Sequence, residues 1–297
     1  MMEKAVVFGS GAVRLVGIVT PAAEPQTTAG RPVIIMLNAG LLHRVGPYRL
    51  HVHLARELAA IGFTVLRFDL SGIGDSTIRT DRLSEMERSN QDLRDAINFM
   101  SNSFQATEFV LFGLCSGAAN AHRGALLDAR VSGAVFLDGY AYPTSGYRLR
   151  RFASHITSAE KWAALPRKLT RSLKHSLANK QRQQTASTIR LKYDFGTPPP
   201  RHQVEQEIKS LTKRGVNLLY IYSGGWEGYN HVKQFKEMYQ SIDFSDRVQV
   251  EYFAQAEHTY PLREDRKKLQ RCVCLWIEEK FARLSPTQNL HVEGVKK

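Results

Sequence analysis

At 297 residues and 43% hydrophobic content the chain has the length and composition of one large globular core with an insertion. No stretch approaches the roughly 18 apolar residues of a membrane span, and Met1 to Phe8 is too short and polar for a signal peptide, so a cytoplasmic protein is expected. The formal charge of +13 is uneven: Arg148 to Arg214 holds sixteen Lys or Arg and four acids (Glu160, Asp194, Glu205, Glu207), a net of +12. Such a run is a solvated face or a surface for an acidic partner protein, a phosphate-bearing substrate or an anionic membrane. Nucleic acid is disfavoured, because aromatics are sparse among the bases and no nucleic-acid motif is present. Three cysteines cannot all pair, which fits a reduced compartment. The absence of C-x-x-C and H-E-x-x-H gives a metal site no support, and no cofactor is implied.

Ala5 to Phe8 and Arg14 to Thr20, split by Gly9-Ser10-Gly11, predict a β-hairpin. The glycine pair is not a dinucleotide fingerprint, since the third glycine is missing and no helix follows. Pro32 to Leu37 is a continuous apolar run, the pattern of a strand buried on both faces, broken by Asn38-Ala39-Gly40. Pro47 to Ile61 carries a helical stripe at Leu50, Leu54, Leu58 and Ile61, stopped by Gly62. Phe63 to Phe68 is the next buried strand, and the turn Asp69 to Ser76 after it has acids suited to bracing the loop through backbone hydrogen bonds. Ser84 and Glu87 form a capping box that starts a helix running to about Met100.

Glu108 to Phe112 is another buried strand and Ala118 to Ala129 a helix. Between them lies Gly113-Leu114-Cys115-Ser116-Gly117. A sharp strand-to-helix turn of the form G-x-nucleophile-x-G holds its middle side chain up on a strained corner, and the glycines stand where side chains would clash. The middle residue is a thiol. The bland reading of Cys115 is a small core hydrophobe; the paired glycines and the strand–helix context favour a nucleophile. Val131 to Leu137 forms a strand ending at Asp138-Gly139-Tyr140.

From Ala141 to Arg214 the strand pattern gives way to basic helical segments, including Ser158 to Leu165 and Ser172 to Lys180, interrupted by Pro198-Pro199-Pro200. An insertion here predicts a lid over the site, so residues 1–140 and 215–297 are assigned to the core and 141–214 to the lid. Asn217 to Tyr222 resumes the sheet and leads to Ser223-Gly224-Gly225-Trp226-Glu227-Gly228. Arg247 to Phe253 is the last strand, followed by Ala256-Glu257-His258, and Leu262 to Leu284 closes as an amphipathic helix.

Strands alternating with helices imply an α/β fold with a mostly parallel sheet, whose ligands bind at the carboxyl ends of the strands. Cys115, Glu227 and His258 all fall at such ends. A nearby imidazole can hold a thiol as thiolate and then protonate the leaving group, while a carboxylate sets its tautomer. The candidate catalytic residues are therefore Cys115, His258 and Glu227, with Asp138 as the alternative acid. Tyr140 and Trp226 are candidates for the pocket lining.

The stretches Asn38 to Pro47, Leu66 to Ser76 and Gly113 to Gly117 resemble bacterial hydrolases associated with exosortase systems, within the α/β-hydrolase superfamily, over roughly residues 5 to 283. The resemblance implies an oxyanion hole from the backbone N–H groups of Leu41 or a near neighbour and of Ser116; Gly40 and His43 in the same loop are candidates for substrate contact, with a solvated His43 as the alternative. The order Cys115, Glu227, His258 matches nucleophile, acid, histidine in that fold. The superfamily usually has serine at the elbow; cysteine there is similar to dienelactone hydrolases, polyhydroxyalkanoate synthases and some thioesterase-like acyltransferases. An acyl-transfer enzyme with an acyl-Cys115 intermediate is therefore expected, its thioester or ester donor riding on an acidic acyl carrier protein or coenzyme A docked by the basic lid. Simple carboxylester hydrolysis and a catalytically silent binding module are the alternatives.

Overall fold

The structure is a computed structural model describing residues 2–23, 30–156, 197–242 and 246–282. The apolar runs form eight strands: β1 (Lys4–Phe8), β2 (Leu15–Thr20), β3 (Val33–Met36), β4 (Val65–Phe68), β5 (Phe109–Leu114), β6 (Val131–Leu137), β7 (Asn217–Ser223) and β8 (Val248–Phe253). They make one sheet in the order β1-β2-β4-β3-β5-β6-β7-β8. β2 is antiparallel to β1 and β4, and the remaining pairs are parallel.

The central strands β3 and β5 carry no polar side chain and are buried throughout, because both faces of the sheet are covered there. With a period of two, Phe109 and Leu111 of β5 enter one core layer, while Val110, Phe112 and Leu114 enter the other. The first layer is closed by α2 (Glu85–Phe104), α3 (Ser116–Leu127) and α5 (Arg201–Lys213), through residues such as Leu93, Ala121 and Ile208. The second is closed by α1 (Leu50–Ala60) and α7 (Arg263–Phe281), through Leu54, Leu58, Leu269 and Trp276. Two shorter helices, α4 (Ser145–Ile156) and α6 (Gln234–Met238), lie on loops after β6 and β7.

Two expectations change. The helix predicted over Pro47 to Ile61 is broken: Pro47–Arg49 is a 3-10 turn, and positive φ at Tyr48 and Arg49 separates it from α1. The helix after the elbow starts at Ser116, not Ala118. Within the stretch 141–214, the described helix α5 packs against the sheet. Val204, Ile208 and Leu211, spaced at i, i+4 and i+7, are buried in the first core layer. Burying each contributes about 1.5–3 kcal/mol, so α5 is the crossover helix that parallel strands β6 and β7 require. The segments Ser158 to Leu165 and Ser172 to Lys180 lie outside the described residues, as does most of the basic run. The capping box is present, with Ser84 N–H donating to Glu87 at 2.8 Å and Glu87 N–H to Ser84 at 3.3 Å. Among the described residues no helix is long and apolar enough to cross a membrane, and no cluster of His, Cys, Asp and Glu has metal-site form.

Candidate active site

The strand order reverses between β3 and β5, so the loops leaving their carboxyl ends diverge and open a crevice. Cys115 stands at that point. It has φ 57° and ψ −118°, and its N–H donates to Leu137 O at 2.9 Å, which ties the corner to β6. Holding a residue with a Cβ in such a conformation costs about 1–3 kcal/mol, sustained because the surroundings over-determine it. The glycines make the corner possible: a Cβ on Gly113 would lie 2.0 Å from Gly117 O, and one on Gly117 2.5 Å from Asn38 O.

β6 lies between β5 and β7, so Asp138, the residue after β6, sits beside the elbow and beside the end of β7. It is fully buried and has φ 50°. Its carboxylate accepts three hydrogen bonds: Ser223 N–H at 2.6 Å, Ser223 Oγ at 2.6 Å and His258 Nδ1 at 2.8 Å. With Nδ1 committed to Asp138, the imidazole's other nitrogen is left for a partner on its far side. Cys115 is near enough to the same ring to act on its charge. Burial works against charge on His258, but the hydrogen bond to Asp138 and the charges of Asp138 and Cys115 outweigh it and push the imidazole up to about 9. Trp226 stacks on the ring at 4.6 Å between centroids, and its indole N–H is anchored on Gly139 O at 3.0 Å.

The loop after β3 is tied to the elbow helix. Gly40 N–H donates to Ser116 Oγ at 2.8 Å, fixing the backbone on either side of the crevice. Asn38 donates to Leu42 O at 2.9 Å and accepts from Leu70 N–H at 2.7 Å. Buried Asp69 accepts from Arg44 N–H at 2.5 Å and from the Arg44 guanidinium, which also pairs with Asp75 at 2.6 Å. The acids of the Asp69 to Ser76 turn thus brace the loop facing the elbow.

The sequence matches the profile of the α/β hydrolase fold family over residues 32–197, more than half the chain. The chain belongs to that family. None of the curated proteins matches its sequence. Among solved structures it is similar to an esterase of Pyrococcus furiosus, with a TM-score of 0.59 at 16% identity over 95% of this chain and 93% of that one. It is also similar to a dienelactone hydrolase of Anabaena variabilis, with a TM-score of 0.57 at 13% identity over 95% and 99%. An α/β serine hydrolase without lid from Xanthomonas campestris gives a TM-score of 0.55 at 13% identity over 95% and 97%. At such identities the likeness is one of fold.

Within this α/β hydrolase the structure brings Cys115, His258, Asp138 and Trp226 together. It does not bring Glu227 to the imidazole: Glu227 is exposed in the turn after β7, four residues beyond the strand's last residue, Ser223. A carboxylate directly abutting a central strand stays level with the neighbouring strand ends, whereas one four residues out has left the sheet; that offset was a usable sequence signal. His43 is exposed, and so is the Leu41 side chain at 57%. Tyr140 points to α3, edge-on to His122 at 5.4 Å between centroids, while its backbone carbonyl accepts from Tyr222. Ser223, which holds the acid with two bonds, was not legible from sequence, because nothing in a serine at a strand end announces a buried carboxylate.

Proposed function

We propose that this α/β hydrolase is a cysteine-dependent acyl-transfer enzyme, thioesterase-like, working through an acyl-Cys115 thioester with His258 as acid and base and Asp138 as the carboxylate. The observation carrying this reading is the buried Asp138 carboxylate held on His258 Nδ1 at 2.8 Å beside Cys115 on a strained elbow. His258 takes the thiol proton, and the sulfur attacks the donor's carbonyl carbon. The oxyanion is met by the N–H groups of Leu41 and Ser116, the second at the start of α3, where the helix dipole favours negative charge. Collapse breaks the bond to the leaving group, which takes the proton from His258. In the second half an incoming water, amine or alcohol gives its proton to His258 and bonds the acyl carbon, and the Cys115 sulfur leaves as the proton returns to it. Exchange of one thioester for another is near thermoneutral, so a thiol elbow suits donors that are themselves thioesters. The basic run at 148–214 supports a donor carried on an acidic acyl carrier protein or coenzyme A.

A carboxylester hydrolase is the second reading, favoured by the esterase and hydrolase structures of the same fold. The test is intact mass after incubation with a panel of acyl thioesters and esters, beside Cys115→Ala. An acyl adduct on the wild type alone supports the thioester intermediate and names the acyl group. Turnover of small esters with no preference for thioesters moves the assignment to the hydrolase. No adduct and no turnover with any donor leaves a catalytically silent binding module.

A further inference from the structure

Trp226 links the loop of Asp138 to the ring of His258. Its indole stacks on the imidazole with the ring centroids 4.6 Å apart and the planes 26° from parallel. The indole N–H donates at 3.0 Å to the carbonyl of Gly139, the residue next to Asp138. The turn that carries Trp226 is pressed onto the turn that carries His258: Gly224 N–H donates to Phe253 O at 3.0 Å, and Gly225 N–H to Ala256 O at 3.1 Å. Side chains have no room between the two turns. A Cβ on Gly224 would lie 2.0 Å from Ala254 O, and one on Gly225 2.7 Å from His258 N. Trp226 is itself half-buried against the first core layer. Its place over the imidazole is therefore set by the paired turns, by the bond to Gly139 and by the core.

The hydrogen bond to Asp138 holds Nδ1 but leaves the ring plane loose, because the second side-chain torsion of histidine is broad. A flat contact on one face removes that freedom. The same contact favours the charged ring over the neutral one, since the negative face of an indole attracts a cation within about 6 Å. Around the ring, Asp138 lies at Nδ1, and Cys115 acts on its charge from the elbow. Glu227 and Glu257, on the two turns that meet here, are exposed. The phenols of Tyr222, Tyr252 and Tyr260, close enough to feel the Asp138 charge, are pushed up from their ordinary value by burial. We infer that Trp226 is a positioning residue for the imidazole: it fixes the ring plane in which Nδ1 stays on Asp138, and it stabilises the imidazolium formed when Cys115 gives up its proton. The role rests on the reading of His258 as acid and base for Cys115; its test needs no acyl donor.

The experiment has two arms. In the first, tryptophan emission is followed as pH is raised. A protonated imidazole in contact with an indole quenches its fluorescence by taking an electron from the excited ring, so wild-type emission is expected to rise as pH passes through about 9. The step should vanish in Trp226→Phe and in His258→Asn. Emission without a step in the wild type, or a step kept in either variant, overturns the inference. In the second arm, alkylation of Cys115 by iodoacetamide is timed at neutral pH by peptide mass mapping in the wild type, Trp226→Phe and Trp226→Leu. The thiolate is the form that reacts. Losing the aromatic face destabilises the imidazolium that accompanies it, so Trp226→Leu is expected to react about threefold to tenfold more slowly, while Trp226→Phe keeps most of the rate. Leucine is smaller than tryptophan, so lost packing alone would expose the thiol and speed the reaction. A Trp226→Leu rate equal to or above the wild type, or equal slowing in both variants, sinks the inference and makes Trp226 a packing residue of the core edge. Should Trp226→Leu not fold, the emission step, read on the wild type and His258→Asn, still decides. Passing both arms without an acyl adduct on Cys115 upholds the positioning role and refutes only the acyl-transfer reading.

Discussion

Replacing Asp138 by Asn tests the site most sharply, because it changes one charge and almost no volume. Asp138 accepts from Ser223 N–H, Ser223 Oγ and His258 Nδ1, and an amide oxygen cannot serve all three from both positions. If the oxygen keeps Ser223 N–H, the NH2 group faces Nδ1, and the ring must turn its lone pair there and carry its proton on Nε2, towards the thiol. The rise of His258 from 6.5 to about 9 corresponds to about 3 kcal/mol at 1.36 kcal/mol per unit. With the ring's outer edge in contact with water, about 1–2 kcal/mol of this is a reasonable share for the Asp138 charge. Tautomer loss adds to it, so kcat/KM for a thioester donor falls by about two orders of magnitude or more. The profile moves as well: the imidazolium is the acid that protonates the leaving group, so activity is lost as pH rises through about 9 in the wild type. In Asp138→Asn that alkaline limb shifts down towards 6.5. Donor turnover between about pH 5.5 and 10, beside Glu227→Gln, is the assay. A limb that stays in place in Asp138→Asn and moves in Glu227→Gln would refute the assignment and return the acid's role to the exposed turn.

Burial pushes the Cys272 and Cys274 thiols up to about 12, so a thiol-directed probe at neutral pH labels Cys115 first, and Cys115→Ala abolishes the fast phase seen by peptide mass mapping; initial labelling at Cys272 would contradict this. Gly117→Ala puts a Cβ 2.5 Å from Asn38 O, a backbone atom that cannot move aside without displacing the loop after β3. The variant is therefore expected to lose several degrees of thermal midpoint together with donor turnover, whereas retention of both would mean that the loop yields freely. His51 is buried against Phe112 with its ring pushed down to about 4 by burial and by the Arg67 charge. Unfolded chains protonate this histidine near 6.5, so stability is full above that value and falls by about 3 kcal/mol as pH drops to 4. Urea unfolding of His51→Leu should show a shallower acid limb than the wild type, and identical limbs would show that His51 does not titrate on unfolding.

Much of the fold was legible because it is local or periodic. Buried strands read as unbroken apolar runs once both faces are covered, as in β3 and β5, and the capping box at Ser84 and Glu87 involves groups three residues apart. The elbow was legible for a steric reason: only glycine fits where Gly113 and Gly117 meet each other and Asn38, so the corner is written into the residue types.

What only the tertiary structure decided depends on which strands are neighbours. Asp138 prevails over Glu227 at the imidazole because β6 lies between β5 and β7, which sets its carboxylate beside the elbow and within reach of both Ser223 donors. Chain order alone favours the later acid. The helix Arg201–Lys213 likewise reads by charge as part of the basic insertion, but packing assigns it to the core, since Val204, Ile208 and Leu211 are satisfied only against the sheet. The bond from Ser89 Oγ to Asn120 Oδ1 at 3.2 Å joins α2 to α3, and no spacing along the chain encodes that meeting. Residue types thus determined the elbow and the strands, through sterics and burial, while three-dimensional adjacency determined which side chains share the elbow's chemistry.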